Sequence, residues 1–154
     1  MSFSSRRELY RRFLPFAAFI DVELRSLDKL AGTVEEARGA GVKLIASAHH
    51  FHSTPPATVL QQAIRRAHAA GADICKLAAQ AETAAALAVL LGTLGRKQPL
   101  PLSVMGMGRF GKISRLLLAQ AGSVLNYGYL DRPNASGQWE ARLLKKRLAE
   151  LNGA

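Results

Sequence analysis

The chain has 154 residues, is 49% hydrophobic and 21% charged, and carries a formal charge of +10. That length and apolar content suit one globular domain, residues 1–154, with a packed core, and exclude a disordered chain. No run approaches the roughly 18 to 20 apolar residues of a membrane span, and the opening MSFSSRRELYRRF has no apolar stretch behind its basic residues, so a cytoplasmic protein without anchor or secretory signal is expected.

In chain order, residues 6–14 read as a helix, 17–24 (AAFIDVEL) as a strand and 27–39 as a helix, with Gly39 and Gly41 marking the turn into a strand at 42–47. Thr54-Pro55-Pro56 opens a helix that runs to about Ala70, and Gly71 closes it. A strand at 72–78 and an alanine-rich helix at 80–94 follow. Pro99 and Pro101 precede the strand LSVMGM, a helix spans 111–121, SVLNYG reads as a fifth strand, and a last helix starts near Gln138.

About five strands alternating with helices predict a parallel sheet of right-handed βαβ units. Periodicity leaves two architectures open, an open doubly wound sheet or most of a (β/α)8 barrel. Either one puts its chemistry at the C-terminal strand ends. Polar residues collect there: Asp21 and Glu23, His49, Lys76, the MGMGRFG loop and Tyr127. Lys76 ends the buried stretch GADICKLA, and burial of an amine favours its neutral, nucleophilic form. His49 ends KLIASAH, close enough in the pattern to move protons for it. Lysine and histidine at successive strand mouths point to imine chemistry; the alternatives are a lysine stem lying along apolar surface or a buried ion-pair network in a structural domain.

Other features have plainer readings. Cys75 is the only cysteine and falls inside a strand, as a core residue would. His49, His50 and His52 lack zinc spacing, and His50 points away from His49 in a strand, so no metal site is expected. Arg6, Arg7, Arg11 and Arg12 at one end and Arg142, Lys145, Lys146 and Arg147 at the other lie on helical patterns without aromatic platforms, which predicts solvated helix faces rather than a nucleic-acid surface. Gly106, Gly108 and Gly111 match G-x-G-x-x-G after a strand, but the motif normally opens the first βαβ unit and Asp131 falls in a loop, so a dinucleotide site is the weaker reading. Asn134-Ala135-Ser136 is a glycosylation sequon, discounted for want of a secretion signal.

FIDVEL, SAHHFHSTP, GADICKLA and MGMGRFGKISR, in this order and with matching local spacing, resemble the type I 3-dehydroquinate dehydratases, the Schiff-base enzymes of the shikimate pathway. The resemblance covers nearly the whole chain and implies a (β/α)8 barrel, here partial, a usually dimeric assembly, 3-dehydroquinate as substrate and no cofactor. It implies Lys76 as imine former and His49 as general acid/base. It also implies Arg115 as the grip on the substrate carboxylate, Asp21 as the support of the histidine with Glu23 beside it, and Met105, Met107 and Tyr127 as pocket walls. RPNASGQ resembles the lid loop, with Gln138 and Asn134 facing substrate.

The chain departs from the family pattern in places. His50 stands where an aspartate usually follows the histidine, Asn134 where the lid usually offers serine, and Tyr127 where phenylalanine is usual. The resemblance begins at the helix after the family's third strand, so the first three strands, with the Glu and Arg that hold substrate hydroxyls and a glutamate that orients the histidine, fall outside these residues. Two further readings follow: a noncatalytic barrel relic serving as a binding surface, and a different Schiff-base lyase or aldolase using Lys76.

Overall fold

The computed structural model describes residues 2–153. Four parallel strands, β1 (Phe19–Glu23), β2 (Lys43–His50), β3 (Ile74–Gln80) and β4 (Leu102–Met107), lie in chain order β1-β2-β3-β4. Helices α2 (Ala31–Gly39), α3 (Ala57–Ala69) and α4 (Ala84–Leu94) connect them, α1 (Phe3–Phe13) precedes the sheet, and α5 (Gly111–Gln120) and α6 (Ala141–Leu151) follow it. Sequential strand order with a helix in every crossover is the arrangement of a barrel wall rather than of a doubly wound sheet, whose order reverses at a switch point.

The pleat sorts the strand residues by period two. Val22, Leu44, Ala46, Cys75, Leu77 and Val104 point toward the helices and form the main apolar core with Leu60, Ile64 and Leu90. The opposite face carries Asp21, Glu23, Ser47, His49, Lys76 and Met105. One face therefore holds the protein together and the other carries the polar groups.

Helix ends follow local chemistry. Ser2 accepts from the Ser5 amide, Thr83 from Ala86, and the Glu140 carboxylate from Arg142 and Leu143, each satisfying amides that lack a partner in the first turn. The predicted helix at 27–39 is a helix only from Ala31, preceded by a 3-10 turn at Asp28–Leu30. The last helix begins at Ala141, three residues after Gln138, because Glu140 is its cap.

The fifth strand is a correction. SVLNYG, residues 123–128, runs beside β4 without forming a ladder. The Val124 amide bonds the Leu102 carbonyl at 2.9 Å, but the next contacts are made by side chains: Ser123 Oγ accepts from the Val104 amide at 2.9 Å, and Ser103 Oγ donates to the Leu125 carbonyl at 2.8 Å. Serine hydroxyls thus stand in for the ladder, a substitution that alternation of apolar residues does not reveal. A single bridge, Tyr129 to Glu140, is the only further pairing in this region.

At the other edge β1 pairs with no strand on its outer side among the described residues, and a cleft of about 480 Å³ runs between it and α1, lined by Leu9, Tyr10, Phe13 and Phe19. The Tyr10 hydroxyl donates to the Asp21 carbonyl at 2.7 Å and occupies one acceptor of that edge. This groove is mainly apolar, with Arg6 and Asp21 also on its wall, and it follows the outer edge of β1.

Candidate active site

Lys76 and His49 lie on neighbouring strands and on one face of the sheet: Ser47 pairs with Lys76, and His49 with Ala78. Each is held by its own carboxylate from β1. Lys76 Nζ donates to Asp21 Oδ2, and His49 Nδ1 donates to Glu23 Oε1. The second pairing orients the imidazole and leaves Nε2 without a hydrogen-bond partner among the described residues.

This distribution differs from the sequence expectation that Asp21 supports the histidine. Glu23 pairs with Ser47, two residues before His49, and its longer side chain reaches the strand mouth. Asp21 sits one pleat lower, where the lysine arrives from β3.

Aromatic and sulfur side chains complete the wall. The Tyr127 ring lies 5.1 Å from Lys76 Nζ, within cation–π range, and packs with Ala78, Met105 and Met107. Burial and the nearby Asp21 charge both raise the Tyr127 phenol above its usual range, so it stays protonated at neutral pH. Phe51 stacks on His49 with ring centroids 5.7 Å apart.

Arg115 is 1% exposed. Its Nη1 donates to the carbonyls of Gly106 at 2.7 Å, Gly137 at 2.8 Å and Gly111 at 3.0 Å, and its Nε to Tyr127 at 3.2 Å. Burial lowers the guanidinium to about 10, which leaves it cationic at neutral pH. Among the described residues Nη2 has no partner, so one nitrogen of the fork stays available to an anion.

The loop before α6 closes over this end. The Gly108 amide donates to Ser136 O and Oγ, Trp139 Nε1 donates to the Lys112 carbonyl at 2.8 Å, and Ala135 packs against the methionines. Gln138 Oε1 accepts from the Asn134 and Ala135 amides, so its side chain braces the loop from within; Asn134 is exposed. Sequence reasoning gave both residues a place at the site but gave none to Ser136 or Trp139, whose contacts depend on where the loop lands.

The glycine loop is not arranged for a phosphate. Its Arg109 amide faces both oxygens of Glu82 at 3.4 Å, Gly108 is capped by Ser136, and a carboxylate at the loop opposes an anion. Gly108 has φ 75° with Glu82 packed against it, and Gly111 approaches Gly137 so closely that a Cβ there would lie 2.7 Å from the Gly137 Cα. The glycines serve backbone packing under the loop.

His50 points opposite to His49, and a cavity of about 260 Å³ at this end of β2 is lined by both histidines and by Glu23, Ser47, Gln62 and Arg66. Burial lowers its pKa. Cys75 is fully buried in the core and its thiol is pushed up to about 12, which makes it inert. Among the described residues no three His, Cys, Asp or Glu side chains gather as metal ligands, and no helix is long and apolar enough to cross a membrane.

The sequence profile of the type I 3-dehydroquinases matches residues 2–153. The chain belongs to the type I 3-dehydroquinase family. It is 37% identical over 135 residues to the 3-dehydroquinate dehydratase of Hydrogenobaculum sp., which covers 87% of this chain and 61% of that protein, and 34% identical over 134 residues to the Aquifex aeolicus enzyme, with 87% and 60% covered. The crystal structure of the Geobacillus kaustophilus 3-dehydroquinate dehydratase superimposes with a TM-score of 0.90 at 26% identity, over 99% of this chain and 62% of that one. A Clostridium difficile type I 3-dehydroquinate dehydratase carrying covalently modified comenic acid gives 0.88 at 28% identity, over 99% and 63%. The chain spans about three fifths of the length of these relatives. The four-stranded sheet is accordingly part of a type I 3-dehydroquinase barrel.

Proposed function

We propose that this chain carries the Schiff-base centre of a 3-dehydroquinate dehydratase, with residues 1–154 acting as a single barrel unit, in the cytoplasm and as a homodimer. The reading rests on one observation above all: Lys76, third in β3, and His49, near the end of β2, share a face of adjacent strands, each held by a separate carboxylate, in a chain whose named relatives are 3-dehydroquinate dehydratases.

The chemistry follows from the placement. Lys76 gives its proton to solvent, its amine adds to the substrate ketone, and loss of water leaves an iminium. The iminium acidifies the adjacent C–H, and His49 Nε2 takes that proton. The enamine then expels the hydroxyl from the next carbon, and His49 returns the proton so that it leaves as water. Hydrolysis of the remaining iminium consumes one water and frees Lys76, so the net change is loss of one water. Glu23 stabilises the imidazolium between the two proton transfers.

Around that centre, Arg115 Nη2 suits a substrate carboxylate, and Met105, Met107 and Tyr127 suit the apolar side of the ring. Gln138 and Asn134 lie in the loop that covers it. Asp21 holds the resting ammonium in place.

The test is the intact mass of the purified chain after incubation with 3-dehydroquinate and borohydride. A mass increase that disappears in Lys76→Ala is expected. A folded wild-type chain that gains no mass would overturn the reading, and an adduct with other ketoacids alone would redirect it to a different Schiff-base lyase.

A further inference from the structure

Two buried side-chain polar atoms among the described residues have no hydrogen-bond partner, Ser47 Oγ and His50 Nε2. Both lie on β2 within two positions of His49. A buried hydroxyl without a partner costs free energy that alanine would avoid, and such costs collect where function needs the group.

The register explains how Ser47 comes to be buried. Glu23, Ser47 and Lys76 are partners across β1, β2 and β3. Strands two apart are separated by about 9.6 Å. Lys76 still reaches Asp21 on β1, so its stem crosses the face of β2 and lies over Ser47, which is 1% exposed. Asp21 is the diagonal neighbour of Ser47 on the same face, since its own partner on β2 is Ile45.

Lys76 cannot attack a carbonyl while it bridges to Asp21. Once it swings away, the carboxylate is left without its cation and attracts the amine back as ammonium. A free O–H beside it, uncovered by the same swing, offers a charge-assisted hydrogen bond of the strong kind.

We propose that Ser47 is a positioning residue for Lys76: its hydroxyl donates to the Asp21 carboxylate when the lysine leaves to react, and releases it when the amine returns. The inference rests on Lys76 being the reacting amine of the proposed dehydratase.

It is tested without the substrate. The purified chain is treated briefly with formaldehyde and cyanoborohydride, and methylation of Lys76 is read by peptide mass spectrometry against exposed Lys97 as internal standard. Ser47→Ala is expected to slow labelling of Lys76 about tenfold, leaving Lys97 unchanged and the melting temperature unchanged or higher. Ser47→Thr, which keeps the hydroxyl, is expected to label as wild type does. In an Asp21→Asn background Ser47→Ala is expected to have no further effect, because its only partner has lost its charge. Wild-type labelling in Ser47→Ala, or an undiminished effect in the Asp21→Asn background, would overturn the proposal. Failure of the dehydratase reading would be seen separately, as absence of a 3-dehydroquinate adduct.

Discussion

Arg115 Nη1 donates to the carbonyl of Gly137 at 2.8 Å, from the same nitrogen that braces Gly106 at the end of β4 and Gly111 at the start of α5. One guanidinium therefore ties the covering loop, the strand and the helix together. Its cation is buried among carbonyls rather than against a carboxylate, and their dipoles repay part of its desolvation.

Arg115→Met should leave the carbonyls of Gly106, Gly111, Gly137 and Tyr127 without this donor. We expect a loss of about 3 kcal/mol in denaturant unfolding, together with faster proteolysis within residues 130–140. An unchanged midpoint and cleavage rate would assign the carbonyls to other donors.

The contact between Gly111 and Gly137 predicts a separable effect. Gly111→Ala places a methyl 2.7 Å from the Gly137 Cα and 2.9 Å from its carbonyl oxygen, so the loop must lift. Limited proteolysis should cut the loop sooner while the melting temperature falls by less than in Arg115→Met, because the helix and strand keep their brace.

Glu23 and Asp21 should be distinguishable by the step each affects. Glu23→Gln keeps the size of the side chain and removes the charge that orients His49. Borohydride trapping at Lys76 should persist, while proton abstraction slows by on the order of 100-fold, the penalty of a misplaced catalytic group. Equal loss of both steps would mean that Glu23 supports the fold rather than the histidine.

His50 gives a pH dependence with a definite sign. Burial lowers its pKa in the folded chain below the ordinary 6.5, so the folded state binds fewer protons than the unfolded one over that interval. Its contribution to stability is complete above pH 6.5 and is lost as the pH falls from there through the folded value. Chemical denaturation at pH 7.5 and at pH 5 should give a smaller difference for His50→Asn than for wild type. A difference of the same size would place the acid sensitivity elsewhere.

Strands at FIDVEL, KLIAS, GADICKLA and LSVMGM were legible because a parallel sheet buried by helices needs nearly continuous apolar runs, and runs bounded by Gly and Pro are visible locally. SVLNYG carries the same local signal and is not a strand, because Ser103 and Ser123 satisfy the neighbouring backbone through their side chains. The lysine and histidine were legible as polar interruptions of apolar runs, but β3 continues past Lys76 to Gln80, so the lysine lies inside its strand rather than at its end. Ser47 was not: a serine two residues before His49 is unremarkable until the lysine stem is seen to cross it.

The sequence by itself determined the alternation of strands and helices, the polar residues Asp21, Glu23, His49 and Lys76 as a set, and the family, since period-two patterning and motif order are written along one dimension. Only the tertiary structure decided which carboxylate holds which base, that Arg115 spends its donors on carbonyls, and where the loop carrying Ser136 and Trp139 comes to rest. Those outcomes depend on strand register and side-chain reach between segments up to 55 residues apart, distances that local pattern does not encode.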